Sequence, residues 1–170
     1  ANAYFFPGYR LLREIRNAAR RGVEVRLILQ GQPDMLVAKL AARMTYDYLL
    51  KAGVQIHEYC QRPLHGKVAL VDEEWSTVGS SNLDPLSLSL NLEANVLIRD
   101  RAFNQHLFQR LEDLSQNHCK AMDASMSPRG RIWHMTVGFL VFHFLRHFPS
   151  MAGWLPAHKP RLKPFRGRTS

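Results

Sequence analysis

The sequence has few of the features that identify a disulfide-rich or membrane-spanning protein. Its two cysteines, Cys60 and Cys119, stand far apart and form no C-x-x-C pair, so we expect two reduced thiols and no zinc site. The most apolar stretch, residues 132–148, is interrupted by His and Arg and is too short to span a bilayer. No internal repeat is visible. With 46% apolar and 22% charged residues, the 170-residue chain is typical of one globular domain.

Acidic residues are missing from the end of the chain. After Asp123 there is none, whereas eight basic residues fall there. The first 123 residues carry the other 15 basic residues and all 14 acidic residues, so they are close to neutral although the whole chain has a net charge of +9. This distribution argues against a basic nucleic-acid platform in the first 123 residues.

The composition divides the chain into four parts. We predict a folded domain at 1–123, a linker rich in Ser, Pro, Arg and Gly at 124–130, a helix at 131–150, and a basic, disordered tail at 151–170. The helix combines many aromatic side chains with cations at both ends, which favours a position in the membrane interface. A helix that packs on the domain is the alternative. The chain begins with Ala1 and a strand-like run without a basic leader, and we interpret this start as the cut end of a longer protein.

Strand and helix patterns alternate along the first domain. Apolar residues at helical spacing predict helices at 9–21, 34–52 and 100–117. β-Branched and leucine-rich runs predict strands at 23–29, 54–59 and 91–99. The alternation predicts an α/β sandwich with a mixed sheet between helices. In the third helix the residues expected to face the core are Phe103, Leu107, Leu111 and Leu114.

One stretch of eighteen residues carries a chemical pattern, H-x-K-x4-D-x6-G-S-x-N, which runs from His65 to Asn82. Residues 64–72 alternate like a strand, two glutamates follow as a turn, and 75–79 are the returning strand, so a hairpin is predicted. Because side chains two apart share a face, His65 and Lys67 emerge side by side, and the hairpin returns the G-S-x-N residues beside them. An imidazole, an ammonium, a hydroxyl and a carboxamide together form a phosphate site with a nucleophile in it.

This pattern resembles the HKD signature of the phospholipase D superfamily, whose active site is usually made from two such motifs facing each other across a pseudo-twofold axis. By position, the resemblance assigns nucleophilic or acid chemistry to His65. It assigns the binding of phosphate oxygens to Lys67 and Asn82, and a supporting role to Ser80.

Two carboxylates also receive roles from the resemblance. The family uses a downstream carboxylate to orient the motif histidine, and Glu93 stands where we expect it; its task there is to fix the tautomer and stabilise the imidazolium. Asp72 is kept by the family mostly as a structural partner away from the phosphate. No metal or other cofactor is expected, because Lys and His already supply positive charge.

The resemblance extends over nearly the whole chain. The runs N-A-Y-F-F-P at 2–7, Q-G-Q-P-D at 30–34 and G-S-S-N-L-D-P-L-S-L-S-L-N-L-E at 79–93 are similar to the carboxyl-terminal half of bacterial cardiolipin synthases, above all those of the B type. The implied activity is phosphatidyl transfer between phospholipids, with cardiolipin made from phosphatidylglycerol through a phosphohistidine. The implied location is the cytoplasmic side of the bacterial inner membrane, as a peripheral protein.

The single motif limits what the chain is expected to do alone. The resemblance implies a partner, either a missing amino-terminal half with its own HKD motif or a second copy of this chain, and the isolated monomer is expected to be inactive. Two alternatives remain open: a dimeric single-motif phosphodiesterase or nuclease, and an inactive half-domain that only docks its partner half or the membrane. Because the charge lies in the tail, no nucleic-acid partner is expected.

Overall fold

The computed structural model describes residues 1–33, 36–84 and 92–123. The helices are α1 Tyr9–Arg20, α2 Leu36–Leu50 and α3 Arg101–Asn117. The strands are β1 Arg26–Gln30, β2 Gln55–Tyr59, β3 Val68–Val71, β4 Trp75–Gly79, β5 Asn95–Ile98 and β6 Cys119–Met122. The predicted order of helices and strands is confirmed, and the structure contains one further strand, β6, that the sequence did not predict. The predicted linker, helix and tail after residue 123 lie outside the described residues. None of the described helices is long and apolar enough to cross a membrane.

The first residues of the chain join two three-stranded sheets into one. One sheet has the order β1-β2-β6, with β1 parallel to β2, and the other is the antiparallel set β3-β4-β5. Asn2 pairs in parallel with Leu29 on one side and antiparallel with Lys67 on the other. Its amide donates to Ile28 O at 2.9 Å, and the Val68 amide donates to Ala1 O at 3.0 Å. The predicted α/β fold with a mixed sheet is therefore confirmed.

Helices α1 and α2 cover one face of the β1-β2-β6 part of the sheet. Leu12 of α1 and Leu49 of α2 are buried in one apolar cluster with Leu29 and Ile56 of the strands. Both helices end at glycines with φ of +92°, Gly22 and Gly53, a left-handed conformation that closes helices at little cost. The two glycines follow directly after the predicted helix ranges 9–21 and 34–52.

A buried carboxylate fixes α2 to the end of β2. Glu58 accepts hydrogen bonds from Arg43 Nη2 at 2.9 Å and from the hydroxyl of Tyr46 at 3.1 Å. Burial is the main cause that raises the pKa of Tyr46 above its usual range, so its hydroxyl stays a donor to the carboxylate. This network lies directly before the loop that leads to the HKD motif.

Helix α3 packs on the other face of the sheet, and the three predicted leucines are partly buried, but Phe103 does not face the core. Phe103 is 42% exposed, whereas Asn104 is fully buried. Asp100 caps the helix by accepting a hydrogen bond from the Phe103 amide at 2.7 Å, and this start turns Asn104 toward the sheet. There the Asn104 Oδ1 accepts a hydrogen bond from the Ser76 hydroxyl at 2.6 Å. The prediction for Phe103 was wrong because a polar pair occupies the position that apolar spacing assigned to a phenylalanine.

The face of β3-β4-β5 that points away from α3 is exposed and apolar. Since Ser76 faces α3, its neighbours on β4 face the other way, and the register places Val71 opposite Trp75 and Leu97 opposite Thr77 on that side. Val71 is 60% and Leu97 is 69% exposed. Such a surface on a short sheet indicates an interaction face.

Candidate active site

The motif residues come together because they lie on neighbouring strands at positions that pair laterally across the sheet. Asn2 pairs with Lys67, the Gly79 amide donates to Lys67 O at 3.1 Å, and Gly79 pairs with Asn95. Directly opposed residues in a sheet project to the same side, so Lys67 and Asn95 stand on one face with Gly79 between them. The predicted hairpin therefore returns the G-S-x-N segment beside the histidine and the lysine.

His65 and Lys67 are in direct contact. The Nζ of Lys67 lies 3.1 Å from Nε2 of His65 and donates to His65 O at 3.0 Å. An ammonium only donates, so beside charged Lys67 the Nε2 accepts and the proton of a neutral His65 is on Nδ1. Lys67 is buried and His65 is exposed. Burial lowers the pKa of Lys67, and the charge of Glu93 partly opposes this.

Ser80 links the motif to Glu93. Its hydroxyl donates to the Glu93 carboxylate and accepts from the Ala94 amide at 2.9 Å. The backbone amide of Ser80 also donates to Ala94 O at 3.0 Å. The carboxylate that the resemblance assigns to the histidine is thus in contact with the serine, at the edge of the same site.

Asn95 belongs to the site although the sequence pattern did not predict it. Its Nδ2 donates to the Ser81 hydroxyl at 2.6 Å, and its Oδ1 accepts from the Ser81 amide at 3.4 Å. A Cβ on Gly79 would lie 2.1 Å from that Oδ1, so the glycine leaves the space that the Asn95 side chain occupies. The signal in the sequence was its position two residues after Glu93, where the period of a strand repeats.

Asn82 lies at the end of the motif beside the first strand. The following residue, Leu83, donates its amide to Asn2 Oδ1 at 3.3 Å and accepts at its carbonyl from the Phe6 amide at 3.2 Å. The buried Oδ1 of Asn82 has no hydrogen-bond partner among the described residues. The carboxamide is therefore not fixed through its oxygen and can present its NH2 group to a ligand.

Asp72 is not part of this cluster. It occupies the exposed turn between β3 and β4 with φ of +50°. Five residues of extended chain, roughly 16 Å, separate it from Lys67. Of the six predicted site residues, the structure brings His65, Lys67 and Ser80 to one depression and hydrogen-bonds Glu93 to Ser80. Asn82 follows Ser80 by two residues, and Asp72 lies at the opposite end of the hairpin.

The clustered side chains line an open depression with a volume of about 440 Å³. Its walls include His65, Lys67, Gly79, Ser80 and Asn95. Gln30 at the end of β1 fixes the approach to the motif, because its Oε1 accepts from the Leu64 amide at 3.0 Å. Within the described residues no group of three or more His, Cys, Asp or Glu side chains is placed to hold a metal ion. The arrangement suits one tetrahedral oxyanion beside an exposed imidazole.

Comparison with known proteins agrees with this geometry. Residues 1–115 match the family described as "Cardiolipin synthase, PLD-like domain". The chain is 64% identical to cardiolipin synthase B of Salmonella typhi and 61% identical to that of Escherichia coli K12, over 95% of this chain and 39% of each relative. It is 38% identical to cardiolipin synthase A of Cronobacter sakazakii, over 83% of this chain and 29% of that protein. The chain thus spans about two fifths of the length of the B-type relatives.

Solved structures show the same fold. Nuc of Salmonella typhimurium, a phospholipase D family member, superposes with a TM-score of 0.60 at 23% identity, covering 71% of this chain and 78% of that one. The phosphatidylserine synthase of Haemophilus influenzae superposes with a TM-score of 0.58 at 15% identity, covering 89% and 40%. With His65 and Lys67 of the HKD pattern at one depression, and with the family match over residues 1–115, the chain belongs to the phospholipase-D-like family of cardiolipin synthase domains.

Proposed function

We propose that this chain supplies one half of the active site of an enzyme that transfers phosphatidyl groups and makes cardiolipin from phosphatidylglycerol. The observation that carries the proposal is the contact of 3.1 Å between Lys67 Nζ and His65 Nε2 in an open, phosphate-sized depression. The cation can bind a phosphate oxygen while the neighbouring exposed imidazole nitrogen is close enough to act on the same phosphate. The identity of 61 to 64% to proteins named cardiolipin synthase B supports the choice of lipid substrates.

The proposed reaction has two displacements at phosphorus. A histidine attacks the phosphodiester of phosphatidylglycerol, so an N–P bond forms as the P–O bond to glycerol breaks, and the histidine of a second motif gives its proton to the leaving glycerol oxygen. A hydroxyl of a second phosphatidylglycerol then attacks the phosphohistidine, and the second histidine takes the hydroxyl proton. The N–P bond breaks and cardiolipin leaves. His65 takes one of these two roles.

The neighbouring side chains stabilise the charge that develops on phosphorus. Lys67 and Asn82 hold the non-bridging oxygens, and by analogy with oxyanion donors each contributes about 3 kcal/mol to the transition state. Ser80 and Glu93 support this half-site, with Glu93 fixing the orientation of His65 as the resemblance implies. Asp72 acts as a structural residue of the hairpin turn.

A second motif-bearing domain completes the site. The depression is open, and beside it Val71, Trp75 and Leu97 leave the sheet face of β3-β4-β5 uncovered. We place the second domain against this region, whether it is the amino-terminal half of a longer protein or another copy of this chain. The match to 39% of the length of the relatives supports a longer protein.

The membrane supplies the substrates. Leu92 is fully exposed directly before Glu93, and an apolar side chain at the rim suits acyl chains better than bases. The predicted interfacial helix at 131–150, outside the described residues, would hold the enzyme as a peripheral protein on the cytoplasmic side of the inner membrane.

The test compares this chain alone with the complete enzyme on phosphatidylglycerol vesicles, with glycerol and cardiolipin measured as products. The complete enzyme releases one glycerol per cardiolipin, and the rate is unchanged in EDTA. We expect that this chain, when it is shown to be monomeric, forms no cardiolipin. Cleavage of single-stranded DNA without cardiolipin formation would replace the proposal with the nuclease alternative.

A further inference from the structure

Helix α1 carries a stripe of exposed arginines, namely Arg10, Arg13 and Arg20, continued by Arg21 after its last residue. At 100° per residue, Arg13 and Arg20 lie within about 20° of each other around the helix, and so do Arg10 and Arg21. The opposite side of the helix buries Leu12 in the core. The stripe is therefore a continuous outward surface and is distinct from the candidate active site.

Few anionic groups balance this stripe. The acidic residue of α1, Glu14, lies 3.7 Å from Arg13, and both side chains are more than half exposed. In the part of the chain that the structure describes, Arg10, Arg20 and Arg21 form no ion pair. The domain is close to neutral as a whole, so this local excess of positive charge is a property of one helix face.

The stripe also opposes the electrostatics of its own helix. The amino-terminal turn of α1 contains Arg10 and no acidic residue, and Gly8 before it provides no side-chain cap. The unpaired amides at a helix start carry partial positive charge, so a cation there is unfavourable and an anion is favourable. A departure from local helix preferences in an otherwise regular domain is typical of a surface kept for binding.

The stripe begins at the edge of the sheet that holds the active site. The first strand leads into α1, and in it Phe5 pairs with Leu83, the residue after Asn82. Tyr9, at the helix start, is 43% exposed and lies within about 40° of Arg13 around the helix. A surface lying on this helix therefore reaches the same edge as the phosphate-binding residues.

We propose that the arginine stripe of α1 binds the anionic headgroup surface of a phospholipid bilayer. Guanidinium groups pair with lipid phosphates, while Tyr9 enters the headgroup region, where aromatic side chains are favourable. A nucleic acid would match the charge as well, so single-stranded DNA is one arm of the test. The inference rests on the proposed function for the kind of anionic surface. It adds to the predicted helix at 131–150 a contact made by the catalytic domain itself.

The test uses the full chain and two triple variants of equal charge. The first changes Arg10, Arg13 and Arg20 to Gln, and the control changes three exposed residues of α3 and β6, Arg101, Arg110 and Lys120, to Gln. Binding is measured by co-sedimentation with vesicles of phosphatidylglycerol and phosphatidylcholine, with pure phosphatidylcholine vesicles and single-stranded DNA as comparisons. Circular dichroism and thermal unfolding confirm that each variant is folded.

The stripe variant should bind anionic vesicles at least ~10-fold more weakly, because each basic residue near such a surface contributes to attachment. The control should change less than about twofold, and a variant with Lys at the three stripe positions should keep most of the affinity, because lysine keeps the charge. Equal loss in both triple variants, or no loss in the stripe variant, would overturn the proposal, as would loss of DNA binding alone. Binding needs no turnover, so a chain that binds through the stripe but transfers no phosphatidyl group would sink only the proposed function.

Discussion

The Nζ of Lys67 lies 3.1 Å from Nε2 of His65, so the cation and the ring nitrogen that would react with phosphate occupy one point of the site. Strand alternation places the two side chains on one face, and the burial of Lys67 beside exposed His65 holds the ammonium in place. A phosphate that enters the depression would meet both groups at once. The contact therefore has direct consequences for variants of either residue.

Replacing either residue should abolish most of the activity without unfolding the protein. We expect His65→Ala and Lys67→Ala in the complete enzyme to lower turnover at least ~100-fold each, since one removes the nucleophile or acid and the other a phosphate-binding charge. Cardiolipin formation on phosphatidylglycerol vesicles is the measurement, and exposed Lys120→Ala is the control. A near-normal rate in either variant would show that the roles assigned by resemblance are wrong.

Gly79 should tolerate no side chain. In Gly79→Ala the new Cβ would lie 2.1 Å from Asn95 Oδ1 and 2.4 Å from Ala94 O, so β5 must shift. We expect a loss of about 1 to 3 kcal/mol in unfolding free energy, typical of overpacking, together with lower activity. Urea unfolding measures the first and product formation the second.

The matched experiment combines Gly79→Ala with Asn95→Ala. Because the alanine removes the Oδ1 contact but leaves the clash with the Ala94 carbonyl, the double variant should recover only part of the lost stability. If the double variant regained the full unfolding free energy, the clash with the Asn95 side chain alone would explain why residue 79 must be glycine. No loss in Gly79→Ala would contradict the close approach of the two strands.

Ser80 and Glu93 should act as a coupled pair. Their side chains are hydrogen-bonded, so the effects of Ser80→Ala and Glu93→Gln on kcat should not add, and the double variant should be little worse than the more severe single variant. Fully additive effects would indicate that Glu93 acts on His65 independently of the serine, as the family resemblance implies. Turnover of the complete enzyme distinguishes the two arrangements.

The sequence predicted the order of helices and strands and the hairpin, because apolar spacing and β-branched runs are local signals. It predicted three of the residues that line the depression, because a strand period places His65 beside Lys67 and a hairpin returns Ser80. It missed β6 and Asn95, which depend on pairing between distant strands. Phe103 was misplaced because the capping contact of Asp100 and the polar pair of Ser76 with Asn104 set the rotation of α3.

Stability at mildly acidic pH should depend on His57 in β2. Its Nδ1 is buried without a hydrogen-bond partner among the described residues, and burial first, then the charge of Arg26, lower its pKa from the usual 6.5. Two influences of α3 oppose this shift, a hydrogen bond to the Ser115 backbone and the charge of Glu112. Because the folded pKa lies below the unfolded value, the unfolded chain binds the proton more readily. The contribution of neutral His57 to the free energy of unfolding is therefore fully present above pH 6.5, and it is lost as the pH falls through the folded pKa.

The measurement is the urea midpoint of unfolding at pH 7.5, 6.5 and 5.5, a range in which Glu112 remains charged because the hydrogen bond from Arg26 lowers its pKa. The wild-type midpoint should fall across this range. His57→Gln should give a flatter dependence, because the neutral amide takes up no proton. The control is His106→Gln, at an exposed position of α3, which should keep the wild-type slope. The same slope in the His57→Gln and His106→Gln variants would show that the acid sensitivity arises elsewhere in the chain.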